Sequence, residues 1–242
     1  MRYLIRFSYD GTNYNGFQKQ KRDKNTIQGK IEEALKQINN GKDTKLTASG
    51  RTDKGVHAMD QCAHVDIDVN ITPYKLKRAL NSLLEADIHV FDVQEVDNEF
   101  HARYMVKKKT YMYIINTGEY NPVNRNSVYQ LCKKLDINKM NKAIKDFIGK
   151  HDFSSFCSNE DKKEDCNKEI YDAYIKEEGD LIFIYFTGNG FLKYMVRTMV
   201  GYLIEIGLSK RDNDIKDRFK LSKRKKIRTA NPEGLYLYKV EY

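Results

Sequence analysis

Arg2-Tyr3-Leu4-Ile5-Arg6-Phe7-Ser8-Tyr9 runs directly into the turn pair Asp10-Gly11. Tyr3, Ile5, Phe7 and Tyr9 occupy every second position, the period of a strand with one face buried, and the Asp-Gly pair stops it. Beyond the turn the period changes. Ile27, Ile31, Ala34, Leu35 and Ile38 recur at helical spacing, with Asn25 and Thr26 as cap candidates and Asn40-Gly41 closing the element. A strand followed by an amphipathic helix implies sheet and helix packed as layers, and the remaining chain repeats that order.

Residues 61–68 read as a strand with Cys62, His64, Asp66 and Asp68 opposed to Ala63, Val65 and Ile67. Residues 73–84 read as a helix with Pro73 in its first turn, and a strand follows near 87–96. Past a boundary near residue 105 come a strand over 109–116 and a helix over 137–148 closed by Gly149. Two strands, 168–176 and 181–186, then meet at Glu177-Glu178-Gly179-Asp180. The run 181–186 is apolar on both faces, which predicts a central strand packed on both sides, whereas 168–176 is mixed and predicts a one-sided strand. Residues 191–206 are apolar nearly all round and predict a buried helix, and 235–242 predict a last strand. The class is α+β, with an N-terminal half at 1–105 and a C-terminal half at 106–242.

A chain of 242 residues buries roughly 70% of its unfolded surface, enough for a real core without metal or disulfide staples. Lys and Arg outnumber Asp and Glu by 43 to 34, giving a net charge of +9. That bias concentrates polyanions such as nucleic acid, although a Lys-rich solvated surface produces the same number. Basic residues gather at Lys210, Arg211, Arg218, Lys220, Lys223, Arg224, Lys225, Lys226 and Arg228. The cysteines at 62, 132, 157 and 166 form no C-x-x-C pair and no metal spacing with His, which points to a reducing, cytoplasmic setting and to no metal site. No stretch approaches the roughly 18 apolar residues of a membrane span.

Three places could carry chemistry. Gly50-Arg51-Thr52-Asp53-Lys54-Gly55-Val56-His57 packs glycines, cations and one carboxylate between two strands. One reading is a plain turn in which Gly55 supplies a positive φ; the other is a carboxylate nucleophile or base kept ionised by Arg51, two residues away on an extended segment. Within Phe191-Leu192-Lys193-Tyr194-Met195-Val196-Arg197-Thr198-Met199-Val200-Gly201, Arg197 sits in an apolar run and demands a carboxylate, because a guanidinium does not deprotonate to escape desolvation. Glu205 lies about 12 Å along such a helix, too far for direct pairing, which leaves Asp53 as the economical partner. Third, Lys107-Lys108-Lys109-Thr110-Tyr111-Met112-Tyr113 places aromatics after a basic run at strand spacing. That pattern serves ordinary strand packing, and it also serves phosphate contact with base stacking. His101-Ala102-Arg103 and His151-Asp152-Phe153 fit turn caps as well as site residues.

These stretches resemble the TruA-type tRNA pseudouridine synthases. The matching blocks are Tyr9-Asp10-Gly11-Thr12 with Gly16-Phe17-Gln18, residues 50–58, Phe100-His101-Ala102-Arg103, Tyr111-Met112-Tyr113, His151-Asp152-Phe153, the Arg197 run and Gly234-Leu235-Tyr236-Leu237. The resemblance implies two similar halves around a central, mostly antiparallel sheet flanked by helices. It also implies a homodimer and isomerisation of uridine at positions 38–40 of the tRNA anticodon stem-loop, with no cofactor and no metal. In that scheme Asp53 is the catalytic nucleophile and Arg197 its partner. Tyr111 stacks on the base, Leu235 lines the pocket, and Arg51 and His57 serve substrate binding. Lys54, Phe17, Leu84-Glu85-Ala86, Lys168 and Asn231 depart from the usual family residues, and none of them is Asp53, Tyr111 or Arg197. Two rival functions fit the charge or the loop alone: a non-catalytic RNA-binding protein or chaperone, and a hydrolase using Asp53 and His57 as base and acid.

Overall fold

The computed structural model describes residues 1–20, 25–158, 165–220 and 227–242; Lys223, Arg224, Lys225 and Lys226 of the basic segment lie outside them. The chain forms two compact units, one of Met1–Lys107 with Tyr236–Tyr242 and one of Lys108–Leu235.

In the first unit β1 (Arg2–Tyr9) runs antiparallel between β4 (Ile88–Val96) and β3 (His57–Asp66), with Leu4 opposite Gln94 on one side and His64 on the other. The far edge of β3 is shared: β2 (Thr47–Ala48) pairs antiparallel at His64 and Ala63, while β10 (Leu235–Glu241) pairs parallel at His57 and Ala58. The alternation read in β1 is real, with Tyr3, Ile5, Phe7 and Tyr9 all buried. Helix α1 (Ile27–Ile38) buries Ile27, Ile31, Ala34 and Leu35, and Thr26 caps it by accepting from the Gly29 N–H at 3.2 Å. It packs on α2 (Pro73–Leu83), which covers β4. Each buried Ile or Leu side chain contributes about 1.5–3 kcal/mol, so these faces rather than propensity hold the helices.

Strand β3 begins at His57, earlier than the expected residue 61. Its leading residues include His57, Asp60 and Gln61, whose polarity masks the period, yet all three are buried. Each has partners from elsewhere in the chain: Asp60 pairs with Arg6 and accepts from the Val240 N–H at 3.2 Å, and Gln61 accepts from Ser49.

In the second unit β5 (Lys108–Asn116), β9 (Leu181–Gly188), β8 (Asn167–Glu178) and β7 (Gly149–Asp152) pair antiparallel in that order, with β6 (Tyr129–Gln130) parallel along β5. Helix α3 (Ile137–Ile144) packs on α4 (Met195–Gly207), and a short α5 (Ile215–Arg218) follows. The helix expected over 137–148 stops at Ile144. A single 3-10 turn, Lys145–Phe147, then swings Phe147 into the core, and Gly149 (φ 111°) starts β7. Strand β9 is central as expected but not buried on both faces. Ile182, Ile184 and Phe186 are buried, whereas Phe183 and Tyr185 are half-covered, Tyr185 by a stack on Tyr174 across the ladder at 4.7 Å. Helix α4 is buried nearly all round, but it starts at Met195 because Tyr194 sits in the left-handed region at φ 64°. Among the described residues no helix is long and apolar enough to cross a membrane.

Candidate active site

The Asp53 loop connects β2 to β3, and its backbone is fixed from several directions. At its start Gln61, fully buried, accepts from the Ser49 hydroxyl at 2.7 Å and donates to the Gly50 carbonyl at 3.2 Å. At its middle Thr52 is held twice: its hydroxyl meets the Tyr9 phenol at 2.8 Å, and its carbonyl accepts from the Phe17 N–H at 3.1 Å. Burial pushes the Tyr9 phenol well above its ordinary pKa, which keeps that group a neutral hydrogen-bonding partner. At its end the Val56 N–H donates to the Asp53 carbonyl at 3.2 Å around Gly55 (φ 75°). The turn reading of Asp53-Lys54-Gly55 is therefore correct as local structure, and it leaves the carboxylate question open.

Two glycines allow this packing. A Cβ on Gly11 would stand 2.0 Å from the Val56 carbonyl oxygen, and one on Gly16 (φ 95°) would stand 3.3 Å from both the Lys54 nitrogen and the Thr52 oxygen. The block containing Tyr9, Gly11 and Gly16 is thus the clamp on the loop. The sequence carried its residues but no sign of that role. Arg51 and Lys54 are exposed on either side of a half-buried Asp53.

His57 lies beneath the loop. It is 2% exposed, its ring stacks on Tyr236 at 4.8 Å, and its Nδ1 accepts from the Gly11 N–H at 3.2 Å. Asp10 Oδ1 stands 3.1 Å from the same nitrogen, a contact that becomes attractive when the ring is protonated. Burial raises the Asp10 pKa, but hydrogen bonds from the Thr12 hydroxyl and N–H, with His57 adding, hold it below the usual carboxylate range. His57, expected to serve substrate binding, is almost wholly buried and supports the loop from inside.

In the second unit Tyr111 and Tyr113 share a face of β5, with different fates. Both are buried: Tyr113 fully, donating to the Asn231 carbonyl at 2.8 Å, and Tyr111 to 8% exposure, meeting the edge of Phe191 at 4.9 Å. A Cβ on Gly234 would stand 2.7 Å from both the Tyr113 ring and the Ile114 oxygen, which fixes the turn before Leu235, itself buried. Arg197 stands in the first turn of α4, half-buried. Its Nε donates to the Ala230 carbonyl at 2.8 Å, the Ala230 N–H donates back to the Arg197 carbonyl at 2.9 Å, and the guanidinium lies 5.3 Å from the Tyr194 ring centre. The expected depth inside the helix is corrected, since the helix begins four residues late. Glu205 is paired to Arg211 at 2.8 Å, which removes the local acid from contention.

The His151-Asp152-Phe153 block packs into the second unit as local structure. His151 stacks on Phe219 at 4.2 Å, Asp152 caps the Ser154 N–H at 2.8 Å, and Phe153 is buried among Phe156 and Phe219.

Residues 5–105 and 143–242 match the family described as tRNA pseudouridine synthase, spanning the Asp53 loop, the Arg197 helix and Leu235. The chain belongs to this family. It is 43% identical to the tRNA pseudouridine synthase A of Caldicellulosiruptor saccharolyticus, over 99% of this chain and 98% of that protein. It is 39% identical to the Listeria monocytogenes protein of the same name, over 100% and 99%. A chain of a solved Cbf5-Nop10-Gar1 complex aligns with a TM-score of 0.36 at 13% identity, covering 73% of this chain and 40% of that one, a likeness too remote to carry an argument. As a pseudouridine synthase the chain is an isomerase that converts uridine to pseudouridine.

Proposed function

We propose that the substrate uridines lie in the tRNA anticodon stem-loop, at positions 38–40, and that Asp53 is the nucleophile. The observation that carries the assignment is the Asp53 loop itself, a carboxylate flanked by exposed Arg51 and Lys54 on a backbone clamped by Gly11, Gly16, Tyr9 and Gln61. Clamping of this kind holds a reactive group in place without reorganisation during the reaction. The reaction breaks the N1–C1′ bond, turns the uracil and joins C5 to C1′; the C5 proton leaves and N1 gains one, so the change is internal and needs no oxidant.

Arg197 keeps Asp53 ionised and aimed, Tyr111 stacks on the flipped uracil and Leu235 lines the pocket beside it. Arg51 binds backbone phosphate, while His57 positions the loop. The protein works in the cytoplasm as a homodimer. Incubating unmodified bulk tRNA with the wild-type chain and with Asp53→Asn, followed by carbodiimide mapping of pseudouridine, tests target and nucleophile together. A loss of about three orders of magnitude or more is expected, and near wild-type rates for Asp53→Asn refute the assignment.

A further inference from the structure

Single exposed aromatics are common on protein surfaces and mean little by themselves. Tyr104, 76% exposed in the first unit, differs in how it is supported. Below it Ala102 is fully buried; its N–H donates to His64 Nδ1 at 3.0 Å and its carbonyl accepts from the Tyr242 hydroxyl at 2.8 Å. Burial brings the His64 pKa down to about 4, so near neutral pH its ring is uncharged and Nδ1 is available as an acceptor. One residue before it, His101 Nδ1 accepts from the N–H groups of Arg103 and Tyr104 at 3.2 and 3.3 Å, and the Met105 N–H closes the turn on the His101 carbonyl at 3.0 Å. The His101 ring then stacks on Tyr104 at 4.2 Å and 28°.

Tyr104 is thus backed by an imidazole on one face and presents the rest of its ring to solvent. The Arg103 guanidinium stands 6.0 Å from its centre, and Lys107 is exposed three residues on. An aromatic ring immobilised beside cations matches an unpaired nucleotide, the base meeting the ring and the phosphate the guanidinium. We propose that Tyr104 is a stacking platform for an unpaired tRNA base other than the target uridine, with Arg103 contacting the adjoining phosphate. This rests on the chain acting on RNA.

The chain contains no Trp, so Tyr104→Trp introduces a single indole. Its fluorescence is expected to be quenched by unmodified tRNA and to be unaffected by a fully paired RNA duplex at the same ionic strength. Tyr104→Leu, which keeps an apolar side chain without a π-face, should raise KM for tRNA about tenfold, with kcat within about twofold and an unchanged Tm; Tyr104→Phe should behave as wild type. An indole that ignores tRNA, one that responds equally to duplex, or a wild-type KM in Tyr104→Leu overturns the platform while leaving the isomerase reading intact. Wild-type protein that makes no pseudouridine would overturn that reading instead, and the fluorescence titration would still decide the platform by binding alone.

Discussion

In the first unit the carboxylate rides on a loop whose path is dictated by backbone contacts, with Gly11 against Val56 and Gly16 against Thr52 and Lys54. In the second unit Tyr111 and Arg197 project from a strand and from the first turn of a helix, elements held by side-chain burial. The two arrangements fail differently. A loop set by backbone approach tolerates almost no added atom at its contact points, whereas side chains on regular elements are exchanged singly with the backbone left in place.

The largest effect should come from testing whether the two arrangements serve one reaction. Arg197→Met is expected to lower kcat by about 100-fold or more, because it removes the charge proposed to orient Asp53. In a stability cycle with Asp53→Asn the two losses should be non-additive by about 1 kcal/mol or more, and additivity within about 0.5 kcal/mol would sink the pairing.

Next in size is the loop clamp. Gly11→Ala puts a methyl group against the Val56 carbonyl and should cost about 3 kcal/mol, read as a lower urea midpoint, together with most of the activity. A variant of wild-type stability would mean that the loop is looser than these contacts imply.

The smallest effect belongs to the second unit. Tyr113→Phe deletes one hydrogen bond to the Asn231 carbonyl and should cost about 1 kcal/mol with kcat unchanged. A large fall in kcat would instead make Tyr113 part of the chemistry and blur the distinction drawn between it and Tyr111.

What the sequence disclosed follows the same line. Elements with one clean period were legible to within a residue or so, such as β1 and α1, because local alternation and a Thr cap specify them. The first residues of β3 were not, since His57, Asp60 and Gln61 are polar groups made acceptable in the interior only by partners far along the chain. The late start of α4 was hidden for another reason: nothing in Phe191-Leu192-Lys193-Tyr194 marks a residue held at φ 64°. In the candidate site Asp53, Tyr111 and Arg197 stood out by type and setting. The clamp did not, because a glycine's need to be small is decided by whatever backbone lies opposite.

The strand beside the start of β3 carries one more consequence. Tyr236 and Leu237 pair with His57 and Ala58, and Val240 bonds to Asp60 across 180 residues of sequence. During synthesis the whole of the second unit, Lys108–Leu235, emerges before that strand exists. A growing chain therefore carries its Asp53 loop next to an open edge of β3, with the His57 ring still lacking Tyr236. Closing so long a span is slow relative to local pairing. The pairing at His57 and Ala58 is therefore a late contact in folding, made after the local pairings on either side of it in the chain.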